Sequence, residues 1–554
     1  VEQTWFDQQE RPVIDVTHRS KNITLIDVFQ SSVNKFSSNT AFINLGHRLT
    51  FDDVNLLSRN FASYLQSIGL SKGDTIALML PNVMQYPVAM FGSLLAGLTV
   101  VNVNPQSNKS EFQHQLNDAN VNTIVIAENY AHQLSEVLHE TPVKNIIRTQ
   151  VGDLLPSPRR FLVNFNVKHI KKMVPHFELP ESITFNHALL KGERFDFVQL
   201  FIGEEDLAFL QYTGGTTGAS KGAMLSHRNV IANLEQIEAT FESEITPECE
   251  LTVTALPLHN MFALTSNCLM FFNFGCSNLL ILSPDNSDSV IQELRSYPFS
   301  VLTGVTEFFN DLMNTPGFSE LDFNHLKFAL SGGSAVQRSV AERWQQITGK
   351  KLIEGYGLAE CSPVVCVNTL ANEKYKGSIG LPLPDTEIKI TDAKGRFVDI
   401  DVPGELHVKG PQVMLGYFRR EQATNDILHD GWLATGDIVR RDEEGRLFLI
   451  DRKEDMILVS GFCVFPNEIE EVASIHAGVK DVAAIGVPHR VSGEVVKLFV
   501  VKDDNTLTKE ALFDHCKSLL TGYKVPKLID FVDALPKSNI GKTLRRELRK
   551  SEAS

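Results

Sequence analysis

The chain has 554 residues, 43% hydrophobic and 21% charged, a globular balance and a length suited to about three to four domains or subdomains. Its 52 Lys and Arg against 67 Asp and Glu leave a formal net charge of -15, which argues against a protein built to coat nucleic acid. Seven cysteines with no C-x-x-C pair argue against a zinc ribbon or a disulfide framework and predict buried free thiols in a reducing compartment.

Residues 1–22 are polar and lack the apolar core of a secretory leader. Apolar runs at 75–80, 99–103, 122–127, 207–210 and 279–282 predict strands, with a helix over 88–98. This alternation predicts βαβ units and largely parallel sheets. Residues 154–177 hold Arg159, Arg160, Lys168, Lys171 and Lys172 with no acid, interleaved with Phe161, Leu162, Val163, Phe165, Ile170 and Met173. That mixture suits an anionic membrane surface met through 159–172; the competing expectation is a surface excursion that packs its own apolar side. The uncharged stretch 251–284 is broken by Pro257, Asn260, Asn267, Asn273 and Gly275, so it predicts buried elements rather than a membrane span.

The texture changes after 449–453. Strands at 482–486 and 497–501 and helices near 468–473 and 508–520 predict a small α+β domain. Its tail, 522–554, carries eight Lys or Arg against four acids. That is either a solvated basic helix end or a surface that meets polyphosphate.

The sharpest chemical signal is YTGGTTGASKG, 212–222. Its glycines let the backbone turn tightly and present N–H groups to an anion. Thr213, Thr216 and Thr217 add hydroxyls and Lys221 a charge. A Walker A loop needs Gly-Lys-Ser/Thr in sequence, whereas Lys221 stands between Ser220 and Gly222.

This loop resembles the phosphate loop of the adenylate-forming superfamily of acyl-CoA synthetases, luciferases and adenylation domains. EGYGLAE (354–360), ATGD (434–437), Asp451-Arg452 and PKSNIGK (536–542) follow in that family's order. The stretches 229–236, 431–464 and 520–527 are similar to the bacterial long-chain fatty-acid–CoA ligase type. The resemblance implies an α/β fold: a large N-terminal domain of βα subdomains (1–453) that binds ATP and fatty acid, and a small mobile α+β C-terminal domain (454–554). It implies an AMP-forming acid–thiol ligase with ATP and CoA as substrates and Mg²⁺ as cofactor. Thr213, Gly214, Gly215, Thr216, Thr217, Gly218, Lys221, Gly355, Tyr356, Gly357, Asp437, Arg452 and Lys542 would bind ATP, with Thr216 and Glu360 on the metal. Lys542, Glu360 and Thr216 would carry the chemistry. Glu454 matches the hinge and Gly461 the glycine beside the CoA tunnel. His259, Asn260, Met261, Phe262, Gly304 and Val305 would line the acyl pocket. The expected setting is cytoplasmic, peripheral on the inner membrane, without nucleic acid; a homodimer stays open.

Two departures stand out. Ala359 replaces a threonine whose hydroxyl helps hold the α-phosphate, a contact worth about 1.5–3 kcal/mol, with Cys361 or Ser362 as candidate substitutes. His259-Asn260 replaces an aromatic-His pair. Glu307 is an awkward charge beside an acyl chain unless paired or turned away. A carrier-protein acceptor and a catalytically impaired binding homologue are therefore carried as alternatives.

Overall fold

The structure is a computed structural model and describes residues 22–213, 220–370, 375–504, 506–537 and 543–553. Two large sheets form its frame. One has seven strands in the order Ile183–Thr184, Asn145–Thr149, Thr123–Ala127, Thr75–Met79, Thr99–Asn102, Leu207–Thr213, Lys221–Ser226. All neighbours are parallel except the last pair. The other has nine strands and is parallel through its middle, Leu352–Gly357, Phe328–Gly332, Val301–Gly304, Leu251–Thr254, Ser277–Leu280, Thr40–Asn44. Parallel strands covered on both faces read as unbroken apolar runs. Their alternate side chains enter different cores: Ile76 and Leu78 face the core shared by the two sheets, Ala77 and Met79 the opposite one.

Helix starts follow local chemistry. Thr50 and Asp53 cap Phe51–Ser67 reciprocally, and Ser226 and Asn229 do the same for His227–Phe241. The second cap fixes the direction in which the chain leaves strand Lys221–Ser226. Phe272 is the ring where the shared core closes, meeting Phe29, Phe42, Phe51 and Phe91 at centroid distances between 4.4 and 6.0 Å.

A third, antiparallel sheet of five strands ends with Leu447–Arg452. A fourth, from Ile457–Val459 to Leu528–Phe531, builds the small α+β unit. The α/β class expected from the alternation is the one observed.

Three expectations need correction. Five cysteines are buried, but Cys249 and Cys463 are exposed. The basic tail is largely neutralised within the molecule: Lys524 pairs with Glu468, Lys537 with Asp481, and Arg549 with Asp455. The insert packs only part of its apolar side, Val163 and Val167 meeting the shared core. In helix Arg159–Phe165 and the turn that follows, Phe161, Leu162, Phe165 and Ile170 are 59–67% exposed. The polar groups point inward instead: Asn164 bonds to Gly152 N at 2.8 Å and Asp153 at 3.1 Å, and Lys168 lies 3.6 Å from buried Glu128. Among the described residues no helix is long and apolar enough to cross a membrane.

Phe272→Ala is expected to destabilise the larger unit by about 3–5 kcal/mol, read as an earlier urea midpoint in the near-UV signal.

Candidate functional site

Strand Leu207–Thr213 leads into the Gly/Thr loop and strand Lys221–Ser226 leads out, with Thr213 and Lys221 paired across the neck. Gly214, Gly215, Thr216, Thr217 and Gly218 lie outside the described residues, as does Lys542. Lys221 Nζ stands 5.1 Å from the centroid of the Tyr417 ring, a cation–π contact. The Tyr417 hydroxyl donates to Glu360 Oε1 at 2.7 Å. Burial, then the Glu360 charge, push that hydroxyl far above its ordinary pKa, so it stays a donor. Met414 N donates to the Glu360 carbonyl at 2.8 Å. The 414–418 segment thus stitches the Glu360 turn to the strand that begins at Lys221. The motifs alone did not single out Tyr417; Gly416 before it, at φ +140, was the only local signal.

On the other side of the same turn, the Tyr356 hydroxyl donates to Asp437 Oδ2 at 2.5 Å. Asp437 and Arg452 are register partners on adjacent strands, with Arg452 Nε 3.6 Å from Asp437 Oδ1. Burial, then the Asp437 charge, keep Tyr356 protonated. Gly357 is required by close approach: a Cβ there would fall 2.1 Å from the Pro363 carbonyl. Glu354 was also missed. Burial lifts its carboxyl to about 8, and Oε2 finds no hydrogen-bond partner among the described residues. Nothing in a strand's spacing separates such an acid from an exposed one.

The six acyl-pocket candidates come together only in part. Gln211 Nε2 donates to the His259 carbonyl at 3.2 Å, tying that segment to the strand that enters the loop. Asn260 Oδ1 accepts from Phe262 N at 2.9 Å and so caps a helix start. Met261 is buried, and the Phe262 ring lies where a Cβ on Gly332 would be, at 2.9 Å. Gly304 is covered by Phe308, which a Cβ there would meet at 2.5 Å, and Val305 begins the helix carrying it. Glu307 is approached by the Ser334 hydroxyl at 3.5 Å.

Neither substitute for the absent threonine at 359 is placed to serve. Ser362 Oγ donates to the Gln412 carbonyl at 2.9 Å. Cys361 is fully buried, and that burial raises its thiol well above the usual value. Glu454 stands between the last strand of the third sheet and the first of the fourth, 3.7 Å from Arg452. Gly461 lies apart from these residues: it is exposed, at φ +86, with nothing within 4 Å of an added Cβ.

Two clusters therefore flank one turn, a cation–phenol–carboxylate group at the neck of a Gly/Thr loop and a phenol–carboxylate–guanidinium group beside it. The chain belongs to the AMP-binding enzyme family: that family's description fits residues 29–418, and its C-terminal domain fits residues 468–542. Over 550 residues the chain is 52% identical to a long-chain-fatty-acid–CoA ligase of Escherichia coli O157:H7, covering 99% of this chain and 98% of the relative. It is 51% identical over 553 residues to the protein of that name in Yersinia pestis, covering 100% and 98%. The fold is shared with the anthranilate CoA ligase AuaEII in complex with anthranoyl-AMP, at a TM-score of 0.84, 20% identity, and 97% and 99% coverage.

His259 supplies a pH test. Burial lowers its pKa from 6.5 to about 4, and Nδ1 has no partner among the described residues. The unfolded chain then binds a proton between pH 6.5 and 4 that the folded one refuses. The stability from this group is complete above pH 6.5 and is lost as pH falls toward 4, by at most about 3 kcal/mol. His259→Phe is expected to lose less stability than the parent between pH 7 and pH 4.5 in urea titrations.

Proposed function

We propose that this protein is an AMP-forming long-chain fatty-acid–CoA ligase. The observation that carries the reading is the back-folded turn from which Tyr356 and Glu360 depart, one toward Asp437 and the other toward Lys221 through Tyr417. In this reading Asp437 is the acid for the ribose and Lys221 stands at the neck of the phosphate loop, on the two sides of one turn. The names of the full-length relatives support the acid and the thiol.

A fatty acid's carboxylate is a poor acyl donor because its leaving group would be oxide. Its oxygen attacks the α-phosphorus of ATP, pyrophosphate leaves, and acyl-AMP forms. The thiol of CoA then attacks the acyl carbonyl, losing its proton, and AMP leaves. Anions must meet in the first step, so the site needs cations and N–H donors. Lys221, the Gly/Thr loop and Lys542 have that role in this reading. Asp437 accepts from the ribose hydroxyls, Arg452 donates to the same sugar, and the Tyr356 ring meets the adenine. Glu360 offers a hard carboxylate oxygen to Mg²⁺, the first being engaged by Tyr417. Thr216 and Glu360 would hold Mg²⁺, which would neutralise charge on the phosphates. The unit from 454 to 554 turns about Glu454 between the two steps and brings Gly461 toward the pantetheine arm.

AMP release from ATP and Mg²⁺ is expected to require both CoA and a long-chain acid, and to fall at least about a hundredfold in Lys542→Ala. No AMP with any acid, from protein that still binds ATP, would replace this reading with the binding homologue. Transfer to a carrier protein in preference to CoA would change the acceptor.

The insert gives the substrate a source. Its outward apolar row lies among Arg160, Lys171 and Lys172, with its polar groups spent inward. Cations attract an anionic leaflet, and the apolar row gains from leaving water there. We place the enzyme on the cytoplasmic face of a membrane, where fatty acids partition. Anionic liposomes should carry the protein upward in flotation at low salt, with Phe161→Ser plus Leu162→Ser abolishing it; a protein left at the bottom overturns this placement.

A further inference from the structure

Arg545 stands three residues beyond Lys542, and its side chain is only 10% exposed. Its guanidinium is shared among four partners: Asn467 Oδ1 at 2.5 Å, Glu470 at 2.7 Å, Asp455 at 3.0 Å and Asp451 at 3.3 Å. These partners fall on the two sides of Glu454. Asp451 belongs to strand Leu447–Arg452 of the third sheet. Asp455, Asn467 and Glu470 belong to the smaller unit, and Arg549 on the same helix as Arg545 reinforces Asp455 at 2.7 Å. A rotation about residue 454 carries three of the four partners along with Arg545. Only Asp451 stays behind. Its side chain is 1% exposed, and a buried carboxylate is costly unless paired, so this contact resists opening.

The tail also has a direction. Lys537 and Thr543 pair across the neck of the 538–542 loop, and Leu544 N donates to the Pro536 carbonyl at 2.8 Å. Burial raises the carboxyl of Asp311, on helix Thr306–Asn314 of the larger unit, and the Lys537 charge opposes that rise. Gly461 meanwhile faces solvent. The arrangement is therefore one in which the Lys537–Thr543 neck acts on the larger unit while the Gly461 turn is exposed.

We propose that Arg545 is a positioning residue, a clasp across the Glu454 pivot that holds the loop carrying Lys542 toward the larger unit for adenylation and releases Asp451 when the smaller unit turns for thioester formation. The proposal rests on the ligase reading and on Lys542 as its tail lysine.

The test separates the half-reactions in the full-length protein. Adenylation is measured as acid-dependent pyrophosphate release from ATP and Mg²⁺, and transfer as thioester formed from supplied acyl-AMP and CoA. In Arg545→Ala, adenylation is expected to fall at least about tenfold while transfer stays within about threefold. Arg545→Lys should recover part of the loss, since an ammonium keeps the charge but not the fork. Asp451→Asn should shift the ratio of the two rates in the same direction, because Asp451 is the partner of Arg545 on the far side of the pivot and also accepts from Asn467 N–H at 2.8 Å. That ratio does not depend on how much of a preparation is folded. An unchanged ratio in the Arg545 and Asp451 variants, with or without a parallel loss of both rates, would overturn the clasp. Lys542→Ala is the control: if it leaves adenylation intact, the reading of the tail lysine fails, whereas its expected loss beside unchanged Arg545 ratios would sink the clasp alone.

Discussion

The Gly357 backbone lies against the Pro363 carbonyl with no room for a side chain between them, and both halves of the candidate site depend on that contact. The back-fold it permits is closed by Leu358 N donating to the Pro363 carbonyl at 2.9 Å. It is then held from outside by three separate segments. Thr265 Oγ1 reaches the Ser362 carbonyl, Ser362 Oγ the Gln412 carbonyl, and Asn233 Nδ2 the Val364 carbonyl, each at 2.8–2.9 Å. All these groups are buried, so each bond is costly to leave unmade. Tyr356 and Glu360 are thereby aimed in different directions by a turn that cannot flex independently. Preorganisation of this kind places donors before charge develops, which is where electrostatic catalysis obtains its advantage.

The fold and the motifs were legible for one reason: each is written locally. Strand Thr75–Met79 shows its two-sided burial as an apolar run, and the segment entered at Thr213 stands out as a density of Gly, Thr and Lys. What escaped was written across long separations. Tyr417 meets Glu360 from 57 residues away, and no composition or period announces that pairing. Glu354 sits inside a motif that was read, yet its burial and the Val336 backbone hydrogen bond that partly offsets it come from tertiary packing that the motif does not encode. The insert was legible as cationic and aromatic, but its orientation was not, because Asn164 turns inward to bond with Gly152 and Asp153. The tail's charge was counted correctly and misread, since its cations meet acids within the molecule, most of them in the same unit and Asp451 across the pivot.

That last point reconciles the net charge of -15 with a site for anions. Lys524, Lys537, Arg545 and Arg549 are balanced at short range, so the tail presents less field than its sequence suggests. Lys221 stands over the Tyr417 ring, and Lys171 and Lys172 are exposed on the insert. Exposed clusters of cations bind any polyanion, and pairing within the molecule weakens such a cluster in the tail.

The pivot proposed at Glu454 follows from the same local anchoring. Lys453 is fixed to the larger unit on both its groups, Nζ to Glu405 at 2.7 Å and N–H to the Gly436 carbonyl at 2.8 Å. Asp455 is fixed to the tail helix through Arg545 and Arg549. One residue therefore separates a flank that belongs to one unit from a flank that belongs to the other. A hinge works when a few backbone torsions absorb the motion and their neighbours do not yield. In the proposed rotation, a loosely held flank would spread the motion over the whole connection. The ion pairs around Asp451 and Asp455 thus set how sharply the turn is localised.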